Sequence, residues 1–111
     1  MRLVDAESGV VVVERVEHAS SFVARLVGLI GRSGLEPGTG LLLEGTNSVH
    51  MFFMGFPIDV LFLDRDGRVR RLVSNLRPWR VSPIVFGAKR VVELPANTMD
   101  PSIVGRTLRL E

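Results

Sequence analysis

A chain of 111 residues with 46% apolar and 23% charged side chains fits one domain, residues 1–111, with room for a hydrophobic core. It has no cysteine, which excludes thiol catalysis, iron–sulfur ligation and structural thiolate zinc sites. Met1 to Val4 is followed at once by Asp5 and Glu7, so no apolar export segment is expected, and the longest aliphatic run, Val10 to Val13, falls far short of the roughly 20 residues that span a bilayer. The expectation is a cytoplasmic protein with no membrane partner.

In chain order, Arg2 to Asp5 and Val10 to Val16 read as two strands joined by a hairpin at Glu7-Ser8-Gly9. The valines are β-branched, which favours strand over helix. Ser20 or Ser21 caps a predicted helix running to about Ile30, with Phe22, Leu26, Leu29 and Ile30 at helical spacing and Gly31 placed to end it. Residues 31–40 are rich in Gly, Ser and Pro and read as a loop. Beyond it the pattern becomes that of strands: Leu41 to Leu43, Ser48 to Met54, Val60 to Asp64, Arg68 to Leu76, Ala88 to Leu94 and Thr107 to Leu110. Asp64-Arg65-Asp66-Gly67 carries the Asp-Gly signature of a tight hairpin. The fold class expected is mainly β (α+β): a small antiparallel β-barrel or curled sheet of seven to eight short strands, with one amphipathic helix in the N-terminal half.

The net charge is only +2, but it is unevenly spread. Residues 65–90 hold Arg65, Arg68, Arg70, Arg71, Arg77, Arg80, Lys89 and Arg90 against Asp66 alone. Such a segment can form an anion-binding face; the blander reading is a solvated surface whose acidic partners come from elsewhere in the chain.

Three groups of residues could carry chemistry. On a strand over Ser48 to Met54, Ser48 and His50 share a face, preceded by the polar Thr46 and Asn47. Asp59 lies between Ile58 and Val60 in an otherwise apolar run, so a carboxylate buried there needs hydrogen bonds or a cation. It either accepts backbone N–H groups of the Phe56-Pro57-Ile58 turn, or pairs with an arginine, or orients His50 as a base. Arg77-Pro78-Trp79-Arg80 places the lone tryptophan between two arginines, where it either stacks a planar or anionic ligand or closes the core while the arginines reach water. With only His18 and His50 and no cysteine, no zinc site is expected, and no Gly-rich phosphate loop or nucleophile elbow points to a cofactor or a hydrolase.

Ser48-x-His50-x-Phe52-Phe53-Met54, then Phe56-Pro57-Ile58-Asp59-Val60-x-Phe62-Leu63-Asp64-x-Asp66-Gly67, resembles the hallmark of a prokaryotic family known as domain of unknown function one-nine-two. Arg25 to Arg32, Leu76-Arg77-Pro78-Trp79-Arg80 and Glu93-Leu94-Pro95-Ala96 extend the likeness over residues 10–110. The resemblance implies a mainly β domain and no established activity. Asn97 stands where the family has Gly after Glu-Leu-Pro-Ala, and Asn tolerates the left-handed conformation that such a turn needs. Gly105-Arg106 replaces the family's Gly-Asp, which removes any acid–base role of that aspartate here.

The leading expectation is a non-catalytic binding domain whose site, formed by Asn47, Ser48, His50, Asp59, Arg77, Trp79 and Arg80, takes a small polar or anionic ligand or a protein partner. The alternatives are a hydrolase or lyase with His50 as base oriented by Asp59, and, less favoured, nucleic-acid contact through residues 65–90.

Overall fold

A computed structural model describes residues 1–19 and 34–111. The valine-rich N-terminus divides where its alternation fails. Val13 and Val16 are buried while Glu14 and Arg15 between them are both exposed, and one period-2 strand cannot serve both. The strand expected over Val10 to Val16 is therefore two: β2 (Val11–Val13) ends in one sheet and β3 (Arg15–Ala19) begins in another.

β1 (Leu3–Asp5) pairs antiparallel with β2 across the expected hairpin. The Asp5 carboxylate accepts the Glu7 and Ser8 N–H groups at 2.9 and 3.2 Å, and Gly9 supplies a φ of 76°. β8 (Leu108–Leu110) pairs with the other side of β1, giving a three-stranded sheet of order β2-β1-β8. Arg106 ties the two ends together through its Nε, 2.8 Å from Asp5 Oδ2, and this hydrogen bond holds the Asp5 carboxyl down at about 2.

The larger sheet has the order β3-β4-β7-β5-β6, with β4 at Thr39–Glu44, β5 at Ile58–Leu63, β6 at Val69–Leu76 and β7 at Arg90–Pro95. β3 and β4 run parallel, and the remaining neighbours are antiparallel. Parallel pairing requires a crossover connection between Ala19 and Thr39. The helix expected at residues 20–30 lies outside the described residues, and among those that are described there is no α-helix, only a 3₁₀ turn at Pro101–Ile103. Nor is there a closed barrel: the first and last strands pair with each other, Leu3 opposite Leu110, and so form a second open sheet instead of closing the first.

Burial separates the interior into two cores on the two faces of the larger sheet. Leu61, Leu63, Val92 and Leu94 pack against Leu3, Val13 and Leu108 of the small sheet. Ile58, Val60, Phe62 and Val91 instead face Val49, Met51, Met54, Phe56 and Val85, which come from the long connections after β4 and β6. Ser48 to Met54 is thus not the strand its composition suggests. It is a loop laid over the sheet, with a single bridge from His50 to Val81 and a turn at its apex.

The β5–β6 connection forms the predicted tight turn: the Gly67 N–H donates to the Asp64 carbonyl at 3.0 Å, and the Asp64 carboxylate accepts from Asp66 and Arg68. Gly67 has a φ of 85°, and a Cβ there would drive into the Leu108 carbonyl oxygen, at the seam where the turn hydrogen-bonds to β8. Gly67→Ala should therefore lower unfolding free energy by more than about 2 kcal/mol in urea titrations. Gly9→Ala has the same backbone penalty but nothing within 4 Å, and should cost only about 1 kcal/mol.

Candidate functional site

Asp59 sits in β5 and is fully buried. Its register with β7 is regular, Asp59 opposite Leu94 and Val60 opposite Glu93. Alternation along β5 therefore turns Asp59 towards the core of Leu61, Leu63 and Leu94, away from the face covered by the His50 loop. Both carboxylate oxygens are filled. One accepts the N–H groups of Asn75 and Asn97, each at 2.9 Å; the other accepts those of Thr98 and Met99 at 3.0 and 3.1 Å. Four donors on two oxygens occupy every lone pair.

The local backbone explains why those donors are available. Ile58 opposes Leu76 but Val60 opposes Val73, so β6 carries an extra residue at this point. The bulge holds Asn75 at φ 52°, which releases its N–H from the ladder and aims it at Asp59. Asn97, at φ 61°, does the same in the turn after β7, and takes up the left-handed geometry expected of it. The structural partners of Asp59 are thus residues 75 and 97–99, not the Phe56-Pro57-Ile58 turn or an arginine. The alternative reading, a His50–Asp59 dyad, is not assembled: its members belong to opposite faces of the sheet.

The other candidates do come together. The loop of residues 47–56 and the loop of residues 77–88 are laced side by side. Met51 N–H donates to the Arg80 carbonyl and Trp79 N–H to the Met51 carbonyl, both at 2.8 Å. Ser82 N–H donates to the Val49 carbonyl at 2.8 Å, Val49 N–H to the Ser82 hydroxyl at 2.9 Å, and Val85 N–H to the Asn47 carbonyl at 2.9 Å. Val49, Met51, Met54, Phe56 and Val85 point down into the core and anchor the pair.

Each loop contains a tight turn with an aromatic residue in an unusual place. Met54 N–H donates to the Met51 carbonyl, and Arg80 N–H to the Arg77 carbonyl, so Phe53 and Trp79 are the third residues of two four-residue turns. Both have a φ of 66°. With Pro78 second and a positive φ third, Arg77 to Arg80 has the pattern of a type II turn, whose third position favours glycine. Two bulky residues held there cost about 1–2 kcal/mol each. They are also displayed: Phe53 is 65% and Trp79 60% exposed, and their rings meet edge to face at 5.2 Å. Phe52 lies 6.1 Å from Trp79 and 4.7 Å from the His50 ring, while the His50 Nδ1 accepts the Phe52 N–H at 3.4 Å.

His50, Arg77, Trp79 and Arg80 thus share one surface, with Asn47 and Ser48 at the foot of the first loop. Arg77 and Arg80 are exposed and neither forms an ion pair among the described residues, whereas Arg70 is drawn to Asp64 at 3.3 Å and Arg90 to Glu44 at 3.7 Å. Sequence reasoning missed Phe52, Phe53, Val81, Ile84 and Phe86, all exposed on the same two loops. The available signal was the adjacent pair Phe52-Phe53, which cannot bury both rings on one face of a strand. Among the described residues no group of three His, Asp or Glu side chains converges to hold a metal ion. Two cavities bounded by described residues, of about 410 and 510 Å³, have none of the seven candidates in their walls.

Backbone strain at the two aromatics gives a comparison that removes side-chain contacts from both arms. Phe53→Gly should be more stable than Phe53→Ala, and Trp79→Gly than Trp79→Ala, by about 1 kcal/mol in each case, by thermal or urea unfolding. The reverse order would mean that these residues are not held in left-handed backbone.

Known proteins resemble this chain along most of its length. It is 34% identical over 102 residues to a UPF0127 protein of Thermococcus sibiricus, covering 88% of this chain and 66% of the relative. It is 37% identical over 87 residues to a UPF0127 protein of Pyrococcus abyssi, covering 73% and 71%. The chain spans about two thirds of the length of these relatives. A crystal structure of a candidate transcription regulator from Sinorhizobium meliloti superposes with a TM-score of 0.75 and 30% identity over 99% of this chain and 89% of that one. A protein of unknown function from Novosphingobium aromaticivorans shares the fold, with a TM-score of 0.69 and 20% identity over 86% and 74%. Residues 3–110 match the family described as Uncharacterized ACR, domain of unknown function one-nine-two, and the chain belongs to that family.

Proposed function

We propose that this chain is a non-catalytic binding domain that takes a partner polypeptide on the face built by residues 47–56 and 77–88. The observation that carries the reading is the pair Phe53 and Trp79, kept in strained backbone while their rings stand more than half exposed. A fold retains such strain where the display itself has a use. Phe52 beside Trp79 is 40% exposed, and Val81, Ile84 and Phe86, further along the segment that follows Trp79, are 62%, 59% and 85% exposed, so these two loops present several large apolar side chains to solvent. Aromatic side chains next to arginine are also the usual anchors of protein interfaces.

Side chains this exposed do not wall an enclosed small-molecule pocket, which favours a partner chain over a buried ligand. Arg77 and Arg80, without carboxylate partners among the described residues, select acidic residues flanking the partner's apolar ones. The enzyme reading loses its orienting group, because every lone pair of Asp59 is already taken by main-chain donors. The likeness to a candidate transcription regulator makes nucleic acid the competing occupant.

Trp79 is the lone tryptophan and there is no tyrosine, so intrinsic fluorescence reports this face alone. A synthetic peptide of alternating glutamate and leucine or phenylalanine should shift Trp79 emission to the blue on titration, and the double variant Arg77→Glu, Arg80→Glu should weaken it by at least about tenfold. Inorganic tripolyphosphate, lacking apolar groups, should leave the emission wavelength unchanged. Unmoved emission with the peptide, or tighter binding of oligothymidylate with a steep salt dependence, would overturn the reading.

A further inference from the structure

The opposite side of the larger sheet holds a second feature that the aromatic face does not use. Between the two sheets, at the end where β5 turns and β8 begins, a cavity of about 410 Å³ opens over Leu3, Leu42, Leu63 and Leu108. These four side chains are at most 4% exposed, so they form a floor and not a rim. The cavity is open to solvent, so a ligand that enters it exchanges water over its apolar lining for aliphatic contact.

The rim is polar, with Arg90, Arg109 and Asp66 at the mouth and Ala6 at its exposed edge. The two arginines differ in what they have left to give. Arg109 is committed to Glu111, its Nη2 and Nε lying 2.6 and 3.0 Å from one carboxylate oxygen. The Arg90 side chain is only 25% exposed, and its one ion pair, to Glu44 at 3.7 Å, is too long for a hydrogen bond. Among the described residues its guanidinium makes no side-chain hydrogen bond. A half-buried cation with unspent donors at the mouth of a leucine-lined hollow is complementary to an anionic head on an aliphatic tail. Asp66 on the same rim counts against a doubly charged head.

We infer that this cavity is a binding site for an aliphatic monocarboxylate, with the chain over Leu3, Leu42, Leu63 and Leu108 and the carboxylate on Arg90. The site lies across the sheet from Trp79, so it is independent of the partner face.

Titrations of the full chain with hexanoate, octanoate and decanoate, below their micellar concentrations, test this by calorimetry and amide chemical shifts. Affinity should rise roughly fourfold per added methylene until the cavity is full. Shifts should concentrate at Leu42, Leu63 and Leu108 and leave Trp79 emission unchanged. Octanol, octylamine and octyl phosphate should each bind at least about tenfold more weakly than octanoate, and Arg90→Gln should abolish that preference while leaving octanol binding unchanged. Because Arg90→Gln can perturb folding, Ala6→Trp provides a second variant: placed on the exposed lip, it should block octanoate with unchanged thermal stability. Equal binding of octanoate, octanol and octylamine, or octanoate shifts centred away from the three leucines, or no binding by octanoate, would each overturn the inference.

Discussion

Removing a carboxylate from water costs several kcal/mol unless each lone pair finds a donor, and a chain that places one in the middle of a central strand must supply those donors from somewhere. Here they come from backbone that regular pairing would have used otherwise. Asn75 leaves the β5–β6 ladder through a bulge, and residues 97–99 turn their N–H groups inward after β7. A single side chain, Asp59, thereby ties the end of β6 to the segment that follows β7, across 16 to 40 residues of sequence. The turn that displays Trp79 begins two residues beyond Asn75, so the pin also fixes where that turn starts.

The larger sheet then works as a partition. One face carries the small sheet and a leucine-floored cavity; the other carries two laced loops whose buried residues are anchors and whose apices are exposed aromatics. Strain follows the same division. Of the four non-glycine residues with positive φ among those described, Asn75 and Asn97 tolerate it well and serve Asp59, while Phe53 and Trp79 tolerate it poorly and face solvent. The first pair holds the fold together. The second pair is costly to stability and holds two large rings in solvent.

Much of the sheet was legible from short-range pattern. The Glu7-Ser8-Gly9 hairpin, the Asp64 to Gly67 turn and the strands from Val60, Arg68, Ala88 and Thr107 follow from alternation and turn chemistry, because those signals act within a few residues. Other features depend on distant partners. Nothing local shows that β3 runs parallel to β4, or that β1 and β8 leave the main sheet to pair together. Ser48 to Met54 misleads because a loop laid on a core needs inward apolar anchors: Val49 and Met51 imitate strand alternation, and only the burial of Met54, three residues on, breaks it. For the site, Arg77, Trp79 and Arg80 were visible as a cluster, and His50 joins them. Asp59 was recognisable as buried and in need of donors, but strand parity, which sends it away from His50, depends on the register with β7.

Amide hydrogen exchange on the unmodified chain tests the role of Asp59 most directly, since its four donors are individually observable. If Asp59 is the pin described, the amides of Asn75, Asn97, Thr98 and Met99 exchange as slowly as the interior of β5, although Asn97 and Thr98 lie at the surface, and Asp59→Ala, which removes both acceptor oxygens, releases all four together. Rapid exchange at these amides in the native chain, or an Asp59→Ala variant that leaves them protected, would contradict the account.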